Sequence, residues 1–191
     1  MKHNANNPPD LPIETAKMFQ YNIIIIPDKS VLDGINLIKQ KLNHFIRPGS
    51  ENLYSQAYIS ILDMEHDDED LVMGKLINVL ANQDRFPIII DGAGFHFQDG
   101  NSTLYIPIKN PLPIQVLNNL LNIEFGKKVQ AFLPHLNIAK GISIEDYKIV
   151  SRFVAEFAYQ GEFLCDSVTI IKRPADNNNG HWETAAKISF G

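Results

Sequence analysis

Two short stretches of the chain set polar side chains at alternate positions between large aliphatic ones. The first reads Ala57-Tyr58-Ile59-Ser60-Ile61 and the second Pro134-His135-Leu136-Asn137-Ile138-Ala139. Successive side chains of an extended strand point to opposite faces. Tyr58 and Ser60 therefore share one face, as do His135 and Asn137, while Ile59, Ile61, Leu136 and Ile138 turn to the core. An imidazole exchanges a proton near neutrality, and a phenol, a hydroxyl and a carboxamide can each donate a hydrogen bond. Two such strips facing each other across a cleft would make a polar site with one proton-exchanging group. Taken alone, a single histidine on an amphipathic strand serves structure more often than chemistry. Tyrosine, too, is a common half-buried strand residue.

The elements that must position these strips follow in a regular order. Residues 21–26 read as a β-branched strand stopped by Pro27. Ser30 offers an N-cap for a helix in which Val31, Ile35, Ile38, Leu42 and Phe45 recur at helical spacing up to Pro48-Gly49. A second strand covers 56–62. Asp67-Asp68-Glu69-Asp70 then opens a helix that continues through Leu71, Leu76, Val79 and Leu80, and a third strand covers 86–90. In the second half, strands at 95–97 and 104–108 flank the turn Asp99-Gly100-Asn101. A helix bearing Ile114, Leu117, Leu120 and Leu121 follows, then a strand at 135–139. The next helix opens at Ser143, with Asp146 in a capping-box-like pair. Strands at 163–172 and 182–190 close the chain through the hairpin signal Asn177-Asn178-Asn179-Gly180.

That order repeats weakly, in pattern rather than in identity, and points to an internal duplication. The expected class is α+β, bilobal, with two pseudo-symmetric lobes of antiparallel sheet covered by helices around a central cleft. Residues 1–15 read as a flexible polar tail without an apolar signal region. Residues 16–191 read as a single bilobal domain. Its lobes are roughly 16–92 and 93–191, with the terminal strands open to exchange between them.

Composition narrows the chemistry. A chain of 191 residues with 45% apolar and 20% charged residues suits one globular domain and excludes a largely disordered one. With 17 Lys and Arg against 22 Asp and Glu, the net charge of -5 opposes non-specific binding to duplex DNA but leaves room for a compact phosphate site. The single cysteine, Cys165, excludes an internal disulfide and a multi-cysteine zinc site, and suits a reducing compartment. No apolar run nears the roughly 20 residues that cross a bilayer. The expected setting is cytoplasmic, with no membrane partner.

Here the chain resembles the 2H phosphoesterase superfamily, the group of bacterial 2'-5' RNA ligases and cyclic nucleotide phosphodiesterases. That family is bilobal and carries a His-x-Thr/Ser-x motif in each lobe. The stretch 132–141, Phe-Leu-Pro-His-Leu-Asn-Ile-Ala-Lys-Gly, resembles the second motif with its Pro-His lead-in. The stretch 166–173 resembles the family's late strand, and Trp182-Glu183 its closing hairpin. The match in order runs from about Tyr21 to the C-terminus. Two departures stand out: Tyr58 occupies the place of the first motif's histidine, with Ser60 keeping the hydroxyl, and Asn137 replaces the second motif's hydroxyl beside His135.

The resemblance implies that His135 and Tyr58 are catalytic and that Ser60 and Asn137 bind the substrate phosphate, with no cofactor and no metal. The family's two imidazoles flank a phosphodiester; one takes a proton from the attacking oxygen and the other protonates the leaving oxygen. A tyrosine of ordinary pKa near 10 donates but is a poor base. The implied function is 2'-5' RNA ligase-like or phosphodiesterase chemistry on a phosphodiester or cyclic phosphate of a nucleotide or RNA terminus, weakened or altered by the missing histidine. The alternative is a catalytically inactive module that binds the same ends.

Other candidates read more simply as structure. His66 with the acidic run after it is a solvated helix start. Gly92-Ala93-Gly94 lacks the strand-to-helix context of a phosphate loop. His96 could stand in for the missing histidine only if its edge strand curled into the cleft. Lys172 and Arg173 could lend charge to a phosphate but sit where basic residues are commonly just exposed. Cys165, in an apolar strand, is expected to be inert.

Overall fold

The computed structural model describes residues 17–47, 53–98, 100–177 and 180–191. The expected tail at 1–15, the stop signal Pro48-Gly49, Asp99 of the turn, and Asn178-Asn179 of the hairpin lie outside the described residues. Strand β1 (Phe19–Ile25) sends Tyr21, Ile23 and Ile25 into the core and sets Asn22 and Ile24 on the opposite face. Helix α1 (Lys29–Leu42) buries Val31, Ile35, Ile38 and Leu42, the spacing predicted from sequence. Its N-cap is Asp28 rather than Ser30. The Asp28 carboxylate accepts from the Val31 N–H at 3.0 Å and the Ser30 hydroxyl at 2.9 Å, a stronger cap for a helix N-terminus than a lone hydroxyl.

Strand β2 (Ile59–His66) starts and ends later than predicted, because its ladder with β1 runs from Ile25 opposite Ile59 to Phe19 opposite His66. His66 is tied into the start of helix α2 (Glu69–Leu80). Its Nδ1 accepts from the Asp68 N–H, and Asp68 in turn caps the Leu71 N–H. Val72, Leu76 and Leu80 are the buried face of α2, and Leu71 is exposed, one position off the predicted stripe. Strands β3 (Phe86–Gly92), β4 (Gly94–Gln98) and β5 (Asn101–Pro107) lead to α3 (Leu112–Glu124), which buries Ile114, Leu117 and Leu121 but leaves Leu120 exposed.

Strand β6 (His135–Ile142) leads into α4 (Ile144–Val150), which Ser143 caps by accepting from the Asp146 N–H. Asp146 does not reach back to complete the capping box. It is held instead by the backbone N–H and guanidinium of Arg47, which also reaches Ser143 and Glu145 and so ties the chain after α1 to the start of α4. A 3₁₀ segment at Ser151–Phe157 follows.

The single strand predicted over 163–172 is in fact two, β7 (Tyr159–Cys165) and β8 (Ser167–Pro174), in different sheets. The chain turns from one sheet to the other at Asp166, whose carbonyl accepts from the Phe190 N–H at 2.8 Å and pins the corner to the end of β9 (Glu183–Ser189). Apolar residues continue on both sides of that corner, so the sequence carries no sign of it.

All strand pairs are antiparallel. They form sheets of order β2-β1-β8-β9, β4-β5-β6 and β3-β7, and a bridge from Ile90 to Ile108 joins β3 to the chain after β5. Strands β8 and β9 of the second half thus complete the sheet begun by β1 and β2, while β3 of the first half pairs with β7 of the second. The helices and the inner faces of these sheets share one contiguous apolar core. No described helix is long and apolar enough to cross a membrane.

Candidate functional site

The alternation read from the sequence is realised in both strips. Tyr58, just ahead of β2, and Ser60 within it are half-buried, while Ala57, Ile59 and Ile61 are buried. His135 and Asn137 are half-buried on β6, with Leu136 and Ile138 buried between and after them. The Ser60 hydroxyl donates to Asn22 Oδ1 on β1 at 2.8 Å, so its proton is engaged and only its lone pairs remain to meet a ligand.

His135 Nδ1 lies 2.8 Å from the Leu133 carbonyl. Only an N–H can satisfy that contact, which makes Nδ1 the protonated nitrogen and leaves the Nε2 lone pair able to take a proton. The Tyr105 ring steadies the imidazole from the adjacent strand, with ring centroids 5.1 Å apart and planes tilted by 58°. Asn137 Oδ1 is buried and has no hydrogen-bond partner among the described residues. Rotating that amide would present an NH₂ at the same place, so Asn137 can offer a ligand either an acceptor or a donor.

The two strips share a further feature. In β2 the register with β1 slips between Ser60 and Leu62, and in β6 the register with β5 slips between Asn137 and Ala139. Each strand thus carries a bulge at the residue after its second polar position, Ile61 in one and Ile138 in the other. Strict alternation from Tyr58 and Ser60 would put Leu62 on the polar face and Asp63 in the core. The bulge reverses this, burying Leu62 and exposing Asp63, and it does the same for Ala139 and Lys140. Asp63 and Lys140 therefore occupy matching places on the two strips, and sequence reasoning missed both. The signal was available as two apolar residues in a row followed by a charged one, in each strand.

Strands β2 and β6 are spatial neighbours, and charge converges where they meet. Asp63 lies within electrostatic reach of Lys140, Lys127 and Arg173. Although Asp63 keeps contact with solvent, enough protein surrounds its carboxyl for burial to push its pKa up, against the pull of those three cations. Burial likewise pushes the Tyr58 phenol up; Asp63 adds to the rise and Arg173 opposes it. Arg173 itself donates to Gln20 Oε1 at 2.8 Å and lies 4.5 Å from the centroid of Trp182.

Two cavities flank β2. One, of about 500 Å³, is lined by Tyr58, Ile24, Ile171, Trp182 and Thr184 among others. The second, of about 430 Å³, lies further along the strand against Asp63, Asn118, Lys127, Lys128 and Phe132.

The remaining sequence candidates fall elsewhere. His96 is exposed on edge strand β4, with β5 between it and β6. Lys172 is bound to Glu69 at 2.6 Å and sits over Phe19, engaged in packing β8 against the start of α2. Cys165 is buried, and burial pushes its thiol up to about 12, so it stays protonated and unreactive at neutral pH.

No protein-family model and no curated protein sequence matches the chain. Solved structures do match in shape. LigT of E. coli, crystallised with 3'-AMP, superposes with a TM-score of 0.65 at 11% identity, over 91% of this chain and 98% of that one. TT0787 of Thermus thermophilus gives 0.66 at 9% identity, over 90% and 97%. Usb1 of Kluyveromyces marxianus gives 0.54 at 10% identity, again over 90% and 97%. What is shared at such identity is architecture over nearly the whole of each chain: the protein has the α+β fold of the LigT-like 2H phosphoesterases.

Proposed function

We propose that the protein is 2H phosphoesterase-like: it holds a phosphodiester or cyclic phosphate of a nucleotide or RNA end between the Tyr58-Ser60 and His135-Asn137 strips. Its turnover is weak because one of the two imidazoles is missing. The observation that carries this reading is the oriented His135, its Nδ1–H fixed on the Leu133 carbonyl and its Nε2 open, beside the unpartnered amide of Asn137. A proton acceptor next to a buried polar group suits a site for an anion and its attacking oxygen better than a packing role.

In the hydrolysis of a 2',3'-cyclic phosphate, His135 Nε2 takes the proton of an attacking water as its oxygen bonds to phosphorus. One ring P–O bond breaks, and the departing ribose oxygen takes a proton from the Tyr58 hydroxyl. The raised pKa of Tyr58 makes it a slower acid than a second imidazolium and no base at all near neutrality. Losing one such group costs roughly 10²- to 10⁴-fold in rate. The Tyr58 phenol, with its pKa raised by burial and so no base near neutrality, favours a second reading, a catalytically silent module for nucleotide or RNA ends. A cytoplasmic setting suits the lone, protonated Cys165 thiol.

Hydrolysis of 2',3'-cyclic nucleotides and 2'-5'-linked dinucleotides by wild type, Tyr58→His and His135→Ala separates the readings. Measurable wild-type turnover, raised about 10²-fold or more by Tyr58→His and lost in His135→Ala, supports the weakened enzyme. Turnover by Tyr58→His alone, with wild type stabilised thermally by the same ligands, supports the silent module. Turnover unchanged in His135→Ala would overturn the proposal.

A further inference from the structure

The cavity beside the bulged middle of β2 lies outside the two strips. Its walls are Ile61, Leu62 and Asp63 of β2, the C-terminal half of α3, and the segment carrying Lys127, Lys128 and Gln130. Asn118 and Asn122 are 5% and 8% exposed. Asn118 donates to the Ile61 carbonyl at the bulge, and Asn122 donates to Asn118. This pair of amides fixes a polar wall and locks α3 to the bulged stretch of the strand.

Cations gather at the mouth. Lys127 Nζ donates to the Asp63 carbonyl, which uses one of its three protons and leaves two for a ligand. Lys127, Lys128 and Lys140 have no carboxylate ion pair among the described residues, whereas Lys41, Lys109 and Lys172 each face one. Among the residues lining the cavity the only carboxylate is that of Asp63, beside Lys127 and Lys128; Lys140 and Arg173 lie within its electrostatic reach, and none of the four approaches it to ion-pair distance. In a chain of net charge -5 this is a local reversal of sign. It lies two ladder rungs beyond Ser60, roughly 7 Å along the strand, a span that one nucleotide unit covers.

We infer that this cavity is a second anion subsite, in which Lys127 and Lys128, with Lys140 at the rim, receive a phosphate flanking the one held between the strips. The ligand it selects is an oligonucleotide strand rather than a mononucleotide. The inference rests on the proposed phosphate site and extends it by one unit.

The test compares the affinity of adenosine 3'-phosphate with that of the trimer (Ap)₃, by isothermal titration at two salt concentrations. The proteins are wild type, Lys127→Gln/Lys128→Gln, and a charge-matched control, Lys29→Gln/Lys148→Gln. Wild type and the control are expected to bind the trimer about 10- to 100-fold more tightly than the monomer, with a salt slope steeper by about 0.7 or more. In Lys127→Gln/Lys128→Gln that advantage disappears while monomer affinity stays. Equal affinity of wild type for both ligands, or an equal loss for both in the double variant, would overturn the second subsite and leave the first standing. Failure of wild type to bind either ligand would overturn both.

Discussion

Position 58 shows how one residue type sets what a site can do. The Tyr58 phenol offers its strip a donor but no group that takes a proton at neutral pH, and its burial widens that difference from an imidazole. Buried ionisable groups away from the two strips act on stability instead. Lys39, 4% exposed and donating to the Ser55 carbonyl at 2.7 Å, has its ammonium pulled down to about 8 by burial. Between about pH 8 and its ordinary 10.5, the unfolded chain holds a proton that folded Lys39 has released, so this group makes stability rise with pH. Cys165 acts in the opposite direction. Its thiol titrates near 9 unfolded and about 12 folded, so the stabilisation is whole below pH 9 and is lost as pH climbs towards 12. Urea unfolding of wild type, Lys39→Met and Cys165→Ala from pH 7 to 10.5 separates the two. The wild-type advantage over Lys39→Met should grow above pH 8, and that over Cys165→Ala should shrink above pH 9. Reversed slopes would contradict the burial of these groups.

At the scale of elements, an aromatic ring sits where α1 and β7 approach. Tyr159 lies between Gly34 of α1 and Gly161 of its own strand, and a Cβ on either glycine would overlap its ring. Gly34→Ala ought to stabilise an isolated helix by up to about 1 kcal/mol. In this protein it should instead destabilise by about 1–3 kcal/mol, because the ring cannot retreat from one glycine without meeting the other. Chemical denaturation of Gly34→Ala and Gly161→Ala reads this out, and a gain in stability in either would mean the packing is loose. Helix stripes such as Val31-Ile35-Ile38-Leu42 and the polar pairs Tyr58-Ser60 and His135-Asn137 were legible in the sequence, because each keeps a single period over the stretch it occupies. Two kinds of feature were not. The Asp166 corner joins two apolar strands that look like one, and the bulges at Ile61 and Ile138 reset the period midway through a strand. Those bulges bring Asp63 and Lys140 to the site, so the charged part of it was hidden for the same reason.

Across the whole molecule, the halves of the chain interlock rather than sit side by side. The first sheet takes β8 and β9 from the far end, β3 crosses to β7, and one core unites the sheets and helices. Matching bulges on β2 and β6 are a likeness between the two halves that residue identity does not show. The interlocked halves bring β2 and β6, which carry the two strips, into contact, and the proposed chemistry requires both strips to meet the same anion. Titration of the isotope-labelled protein with inorganic phosphate, followed through the imidazole resonances of His135, the side-chain amide of Asn137 and the ring of Tyr58, tests this most directly. All three should shift along one saturating curve, with His135 retaining its Nδ1–H tautomer in the free protein. Shifts confined to one strip, or a response only at distant lysines, would contradict a shared phosphate site.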